Sequence, residues 1–300
     1  MLRIYYKKDK RLAKESDITL LHSIPQSDLV WVDLQNSTVE ESTEIESSSR
    51  FYELDDELII NSNFLSLKDE EFDYCPVSIV LEKGILFTYR DDNLKTFRES
   101  VKKIKSNPGA FTNGHQILLN ILETGIEQDA DIIEGLAKDI ADLNKKLTLN
   151  RKRSDEEILL KIASFQNHNI LMRENIIDKQ RLVSSLMKSN LFPEEYMNVL
   201  RIMIKDIGSL IEHNKFAFER LEYLQDTFMG LVNIEQNRII KIFTVATVAF
   251  MPPTLIASIY GMNFNFIPEL NWDYGYLFAI GLMVLSSVLT LSYFKKKNWL

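Results

Sequence analysis

The sequence predicts an α+β membrane protein. It divides into an N-terminal cytoplasmic α/β domain over residues 1–110, a cytoplasmic helical and stalk region over 111–241, and two C-terminal transmembrane helices over 242–260 and 276–294. Three observations predict this. Both C-terminal segments lack any charge, although 26% of the chain is Asp, Glu, Lys or Arg. From residue 112 onward apolar residues recur every three or four positions, the helical period. Before that, short β-type runs are separated by turn residues.

In residues 1–110 the runs Arg3–Tyr6, Leu29–Leu34, Cys75–Leu81 and Ile85–Tyr89 read as strands. The last two flank Glu82-Lys83-Gly84, a hairpin-like turn. Amphipathic stretches near 38–48 and 94–105 read as helices, and Ser106-Asn107-Pro108-Gly109 breaks the pattern. A helix then follows over 112–149, carried by Ile117, Leu118, Ile121, Leu122, Ile126, Ile133, Leu136, Ile140, Leu143 and Leu147. A second opens at the capping box Ser154-Asp155-Glu156-Glu157 and runs to about Ser189. A third opens with Pro193 at its first position, followed by Glu194 and Glu195, as proline and acid suit a helix start. No proline interrupts it before Pro252, so one helix is expected to run from 193 into the membrane, ending near 260, about 100 Å at 1.5 Å per residue. Pro252-Pro253 removes two backbone donors in mid-span and is expected to loosen or kink it.

Each uncharged run is long enough to rise about 28 Å as a helix, close to the hydrocarbon thickness of a bilayer. The connection 261–275 is too short for a domain. Trp272, Tyr274 and Tyr276 suit a membrane interface, and Lys295-Lys296-Lys297 follow the second span directly. The positive-inside rule then places the basic tail 295–300 in the cytoplasm. With two spans the large N-terminal part is cytoplasmic too, and the loop with Glu269 and Asp273 faces outward. The first residues, MLRIYYKKDK, have no apolar core and do not read as a secretory signal.

Net charge is −8. Beyond residue 238 four lysines outnumber two carboxylates, so the excess acid lies upstream. Such a domain is a poor nucleic-acid binder, since phosphate contacts need clustered Lys and Arg. It suits divalent cations better, although solubility alone explains many of the carboxylates. Cys75 is the sole cysteine, so no intrachain disulfide forms. His22, His115, His168 and His213 are far apart without metal-ligand spacing, and no phosphate loop or catalytic signature appears. The chain is not read as an enzyme and no cofactor is expected.

The first span carries a stripe at coiled-coil spacing: Asp226, Gly230, Asn233, Asn237, Ile240, Thr244, Thr247, Met251, Thr254, Ser258 and Gly261. Within the membrane it is small or hydroxylic apart from Met251, while the other faces are Phe, Ile, Val, Ala and Leu. A polar stripe on an apolar span faces protein or water rather than lipid. Two readings stay open, a close helix–helix contact or a pore lining. In the second, Phe243 beside the stripe joins Ile240 and Met251 as hydrophobic constrictions of the kind that gate by dewetting. Two helices cannot enclose an aqueous pore, so this reading needs an oligomer.

At Tyr260-Gly261-Met262-Asn263-Phe264 the chain resembles the CorA family of magnesium and cobalt transport proteins. The neighbourhood FMPPTLIASIYGMNF, the loop Ile267-Pro268-Glu269-Leu270 and the terminal YFKKKNWL match as well. The likeness is specific from about 225 to 300, and over 1–190 it is one of architecture. It implies a homopentameric funnel in the cell inner membrane, with five first spans lining a divalent-cation channel. It implies that Gly261, Met262 and Asn263 form the outer selectivity filter. Magnesium sheds water reluctantly, so a ring of Asn263 carbonyls would accept hydrogen bonds from the hydrated ion. A helix cap is the alternative for Gly261 and Asn263. Glu269 and Asp273 would concentrate cations at the outer mouth or are merely solvated. The family's internal magnesium sensing points to Asp226 on the stripe as a metal-binding residue, and less directly to Asp206 and Glu212, with Asp69-Glu70-Glu71 a weaker candidate. The family also contains zinc-transporting relatives, so zinc, nickel or cobalt is the alternative cargo. A membrane-anchored helical scaffold or sensor is the alternative of another kind.

Overall fold

The computed structural model describes residues 2–8, 11–35, 50–68, 71–149, 155–263 and 267–297. The expected helix near 38–48, the Ser154 cap, Asp69, Glu70 and Phe264 lie outside the described residues. The chain forms two compact units, Met1–Gln225 and Asp226–Leu300.

The first unit opens with strands β1 (Leu2–Lys8), β2 (Arg11–Glu15), β3 (Leu29–Gln35), β4 (Arg50–Glu53), β5 (Glu57–Lys68), β6 (Glu71–Glu82) and β7 (Ile85–Arg90). They make one sheet in the order β2-β1-β3-β7-β6-β5-β4. Only the β3–β7 pair among these is parallel. The Glu82-Lys83-Gly84 turn is a two-residue hairpin with Glu82 opposite Ile85. Lys83 and Gly84 both take positive φ, 49° and 78°, the conformation whose twist matches the flanking strands and which glycine adopts without strain. β5, which the alternation of apolar residues did not reveal, buries Leu58, Ile60, Ser62 and Phe64, every second residue as a sheet face requires.

Helix α1 (Lys95–Ser106) lays Phe97 and Ile104 on that face. Phe97 lies edge-on to Phe64 at 6.0 Å and tilted to Trp31, which stacks on Tyr5 at 4.7 Å. A buried polar network crosses the sheet here. Trp31 Nε1 donates to Thr88 Oγ1, Thr88 donates to Asp33, and Arg90 donates to both Asp33 oxygens at 3.1 and 2.8 Å. Both charges are fully buried and so must be matched.

Helices α2 (Gly114–Leu149) and α3 (Asp155–Lys188) follow, and α4 (Met197–Tyr260) begins after a 3-10 turn at Glu194–Tyr196. Pro193 has extended backbone ahead of that turn, so it precedes the helix instead of occupying its first position. α2 and α3 are joined by Asp129, which accepts from Lys179 Nζ at 2.5 Å and Asn175 Nδ2 at 2.9 Å. Lys179 also lies 5.3 Å from the Phe64 ring centroid. Burial pushes the Asp129 carboxyl above its ordinary range, and Lys179 and Asn175 pull against that. α3 meets α4 through Asn169 and Asn214, each side-chain amide donating to the other's backbone carbonyl at 3.0 and 3.2 Å.

In the second unit α4 continues without a break through Pro252 and Pro253 to Tyr260. A 3-10 turn at Pro268–Asn271 leads to α5 (Gly275–Lys296). Both helices contain stretches long and apolar enough to cross a membrane.

Candidate pore stripe and outer loop

Apart from half-buried Gly230, the sequence stripe on α4 lies on one open face. Asp226, Asn233, Asn237, Ile240, Phe243, Thr244, Thr247, Met251, Thr254 and Ser258 are all exposed. The apolar members are as open as the polar ones: Ile240 is 60%, Phe243 68% and Met251 62% exposed. Within the span 242–260 the half-buried residues are Val245, Val248, Ala249, Pro252, Pro253, Ile256 and Tyr260. These recur at three and four residues on the opposite side, as one face of a helix must. On α5 the shielded positions are Gly275, Ala279, Met283, Ser286, Ser287, Thr290 and Phe294, a mostly small-residue seam of the kind that lets membrane helices approach closely. Ser287 Oγ donates across to the Ala249 carbonyl at 3.1 Å. The second span therefore covers the back of the first, and the stripe is not the surface on which the two spans of one chain meet.

The three threonine hydroxyls of the stripe have a fixed polarity. Thr244, Thr247 and Thr254 donate their protons to the carbonyls of Ile240, Phe243 and Phe250, one turn earlier, at 2.8, 2.9 and 2.8 Å. A threonine oxygen whose proton is committed to the backbone offers only lone pairs to whatever lies beside it. The stripe is then a ladder of acceptors, which suits the outward-pointing hydrogens of water held by a cation.

At the end of α4 the helical pattern runs one residue beyond Tyr260. Gly261 N donates to Ala257 O at 2.9 Å, and Met262 N tightens onto Ile259 O at 3.2 Å. Gly261, Met262 and Asn263 are exposed. Among the described glycines, positive φ is confined to Gly84, so Gly261 does not form the left-handed helix cap that would account for a glycine there.

The loop beyond has a close backbone approach. Trp272 N and Gly275 N donate to Glu269 O and Trp272 O at 3.3 and 2.8 Å, and the Trp272 ring packs on Tyr274 and Phe278. A Cβ on Gly275 would fall 2.0 Å from the Glu269 carbonyl oxygen. Only glycine admits that approach, and it fixes where Glu269 stands. Glu269 is half-buried and Asp273 is exposed. This clamp was not visible in sequence, since it depends on which carbonyl meets the glycine.

The remaining metal candidates are dispersed. Asp206, Glu212 and Asp226 lie exposed along α4. Asp206 and Glu212 are six residues apart and so on different faces. Among the described residues no three His, Cys, Asp or Glu side chains converge on a metal-sized site within one chain.

Comparison with known proteins extends the sequence resemblance to the whole chain. Residues 26–296 match the family model described as CorA-like Mg2+ transporter protein. The chain is 38% identical over 322 residues to the magnesium transport protein CorA of Wolinella succinogenes, covering all of both chains. It is 36% identical over 321 residues to that of Escherichia coli strain K12, again over both full lengths. Its fold is similar to the complete structure of the CorA magnesium transporter from Methanocaldococcus jannaschii, with a TM-score of 0.84 at 21% identity, covering 100% of this chain and 99% of the other. The α/β region, the long helix and the two C-terminal apolar helices are thus the architecture of an integral membrane transporter, and the chain belongs to the CorA-like Mg2+ transporter family.

Proposed function

We propose that this chain is a magnesium uptake channel, with cobalt as a further cargo, in which five copies place the α4 stripe around a central aqueous path. The observation that carries this reading is the exposed ladder of acceptors on the face of α4 that α5 leaves uncovered. A hydrated divalent cation needs acceptors for its water hydrogens and few direct ligands, because magnesium exchanges its shell reluctantly. Asn233, Asn237, Thr244, Thr247, Thr254 and Ser258 supply such acceptors in register along the helix, and Ile240, Phe243 and Met251 supply apolar rings able to close the path by expelling water. Gly261, Met262 and Asn263 are the filter at the outer end, with Asn263 the ring that meets the hydrated ion. Glu269 and Asp273 raise the local cation concentration at the mouth.

In this reading residues 1–241 and the tail 295–300 are cytoplasmic, the spans are 242–260 and 276–294, and the loop 261–275 is outside the cell inner membrane. A potential negative inside drives entry, worth about 4.6 kcal/mol per 100 mV for a divalent ion. Internal magnesium held by carboxylates of neighbouring copies, with Asp226 the leading candidate and Asp206 and Glu212 behind it, stabilises the closed state by mass action.

The test is magnesium influx into proteoliposomes holding a fluorescent magnesium indicator, comparing wild type with Asn263→Ala. Influx that the substitution abolishes is expected. Entry of zinc or nickel in place of magnesium would transfer the protein to the other branch of the superfamily. Absence of any divalent flux under either sign of potential would leave a membrane-anchored helical scaffold.

A further inference from the structure

The double proline of α4 creates a specific deficit. In an α-helix the N–H of residue i donates to the carbonyl of residue i−4. Pro252 and Pro253 have no N–H, so the carbonyls of Val248 and Ala249 lose their helical donors. Both lie in the membrane-spanning part, where no bulk water replaces the missing bond. α4 nonetheless remains helical through this point.

The Ala249 carbonyl is met from outside the helix. Ser287 of α5 donates its hydroxyl to Ala249 O at 3.1 Å, the same oxygen that residue 253 would have bonded had it not been proline. The neighbouring hydroxyls of α5 behave differently. Ser286 donates to Met283 O and Thr290 to Ser286 O, both at 2.8 Å and both within their own helix. Ser287 alone of these three reaches across, and it sits on the shielded face with Ala279 and Met283. The next stripe residue after the break, Thr254, bonds the carbonyl of Phe250, immediately after Ala249. Displacement of the backbone at Ala249 would therefore rotate Thr254 and Ser258 relative to Thr247.

We infer that Ser287 is a positioning residue for ion conduction: its hydroxyl stands in for the amide proton that Pro253 lacks, and so fixes the angle at which the outer half of the pore helix, with the stripe residues beyond Met251, meets the inner half. The role in conduction rests on the pore reading given above, whereas the hydrogen-bond substitution does not. A hydroxyl from a second helix is a weaker and more easily broken tie than a backbone ladder bond, which makes this the point at which the two halves of the helix can change angle.

The experiment is a double-mutant cycle in the full-length protein, read out twice, by thermal melting in detergent and by magnesium influx in proteoliposomes. The variants are Ser287→Ala, Ser287→Thr, Pro253→Ala and the pair Pro253→Ala with Ser287→Ala. Ser287→Ala is expected to lower the melting temperature by a few degrees and change influx by about threefold or more, and Ser287→Thr, which keeps the hydroxyl, to remain close to wild type. Pro253→Ala restores the amide donor to Ala249, so Ser287→Ala added to it is expected to change neither readout further. Equal effects of Ser287→Ala in the wild-type and Pro253→Ala backgrounds, in both readouts, would overturn the inference, because the serine would then act by packing alone. A wild type without flux would sink the pore reading, while the melting cycle would still decide whether Ser287 replaces the missing amide.

Discussion

At the scale of single residues, the fold is held by a few polar groups that have been taken out of water and matched. Asp129 and Lys179 are both almost completely buried, with side chains 4% and 3% exposed, and they tie α2 to α3 beneath Phe64 of the sheet. Removing one partner of a buried pair leaves the other charge without compensation, at a cost of about 3–5 kcal/mol, whereas replacing both by uncharged groups of similar volume is often near neutral. Lys179→Met is therefore expected to lower the melting temperature of the purified protein by several degrees, and Lys179→Met with Asp129→Asn by clearly less. Equal losses for the single and double variants would show that the ion pair is not what joins these helices. None of this was legible in the sequence, where nothing local links Asp129 to Lys179. The pairing arises only once α2 and α3 are brought side by side.

At the scale of elements, the strands at Arg3–Tyr6, Leu29–Leu34, Cys75–Leu81 and Ile85–Tyr89 and the hairpin at Lys83-Gly84 were legible, because their apolar residues and turn chemistry are local. β5 was not. Its inward position 62 is a serine, buried at 3% exposure, and Asn61 faces Ser78 of β6 with a 2.8 Å hydrogen bond. The alternation is intact in space but is hidden by a polar residue on the inward face. The Pro268–Asn271 turn shows the same dependence on tertiary context. The close approach of Glu269 to Gly275 sets that turn, and Gly281 on the same helix has nothing within 4 Å of an added Cβ. Gly275→Ala is expected to displace Glu269 and to reduce magnesium influx several-fold at low external magnesium, with a smaller effect at saturation, while Gly281→Ala leaves influx unchanged. Equal influx in Gly275→Ala and wild type at all concentrations would show that the position of Glu269 is not used.

At the scale of the whole molecule, the long helix, the two apolar spans and the stripe could be read from periodicity and charge alone, and the family comparisons supply the transporter architecture over the full chain. What the sequence left open was which face of α4 is spoken for by α5. The half-buried side at Val245, Val248, Pro252 and Ile256 answers that. The exposed side then needs another occupant, and in the proposed reading the hydroxyl row Thr244, Thr247 and Thr254 faces neighbouring copies around an aqueous path, since polar groups on an apolar span do not favour lipid. The most direct test of this arrangement is cysteine accessibility during magnesium influx, in a Cys75→Ala background, using a positively charged methanethiosulfonate reagent added in water. Thr247→Cys and Thr254→Cys are expected to be modified and influx blocked, with Val245→Cys and Ile256→Cys left conducting. Block at Val245→Cys and Ile256→Cys with free conduction through Thr247→Cys and Thr254→Cys would contradict the account, because the path would then run along the face that α5 covers.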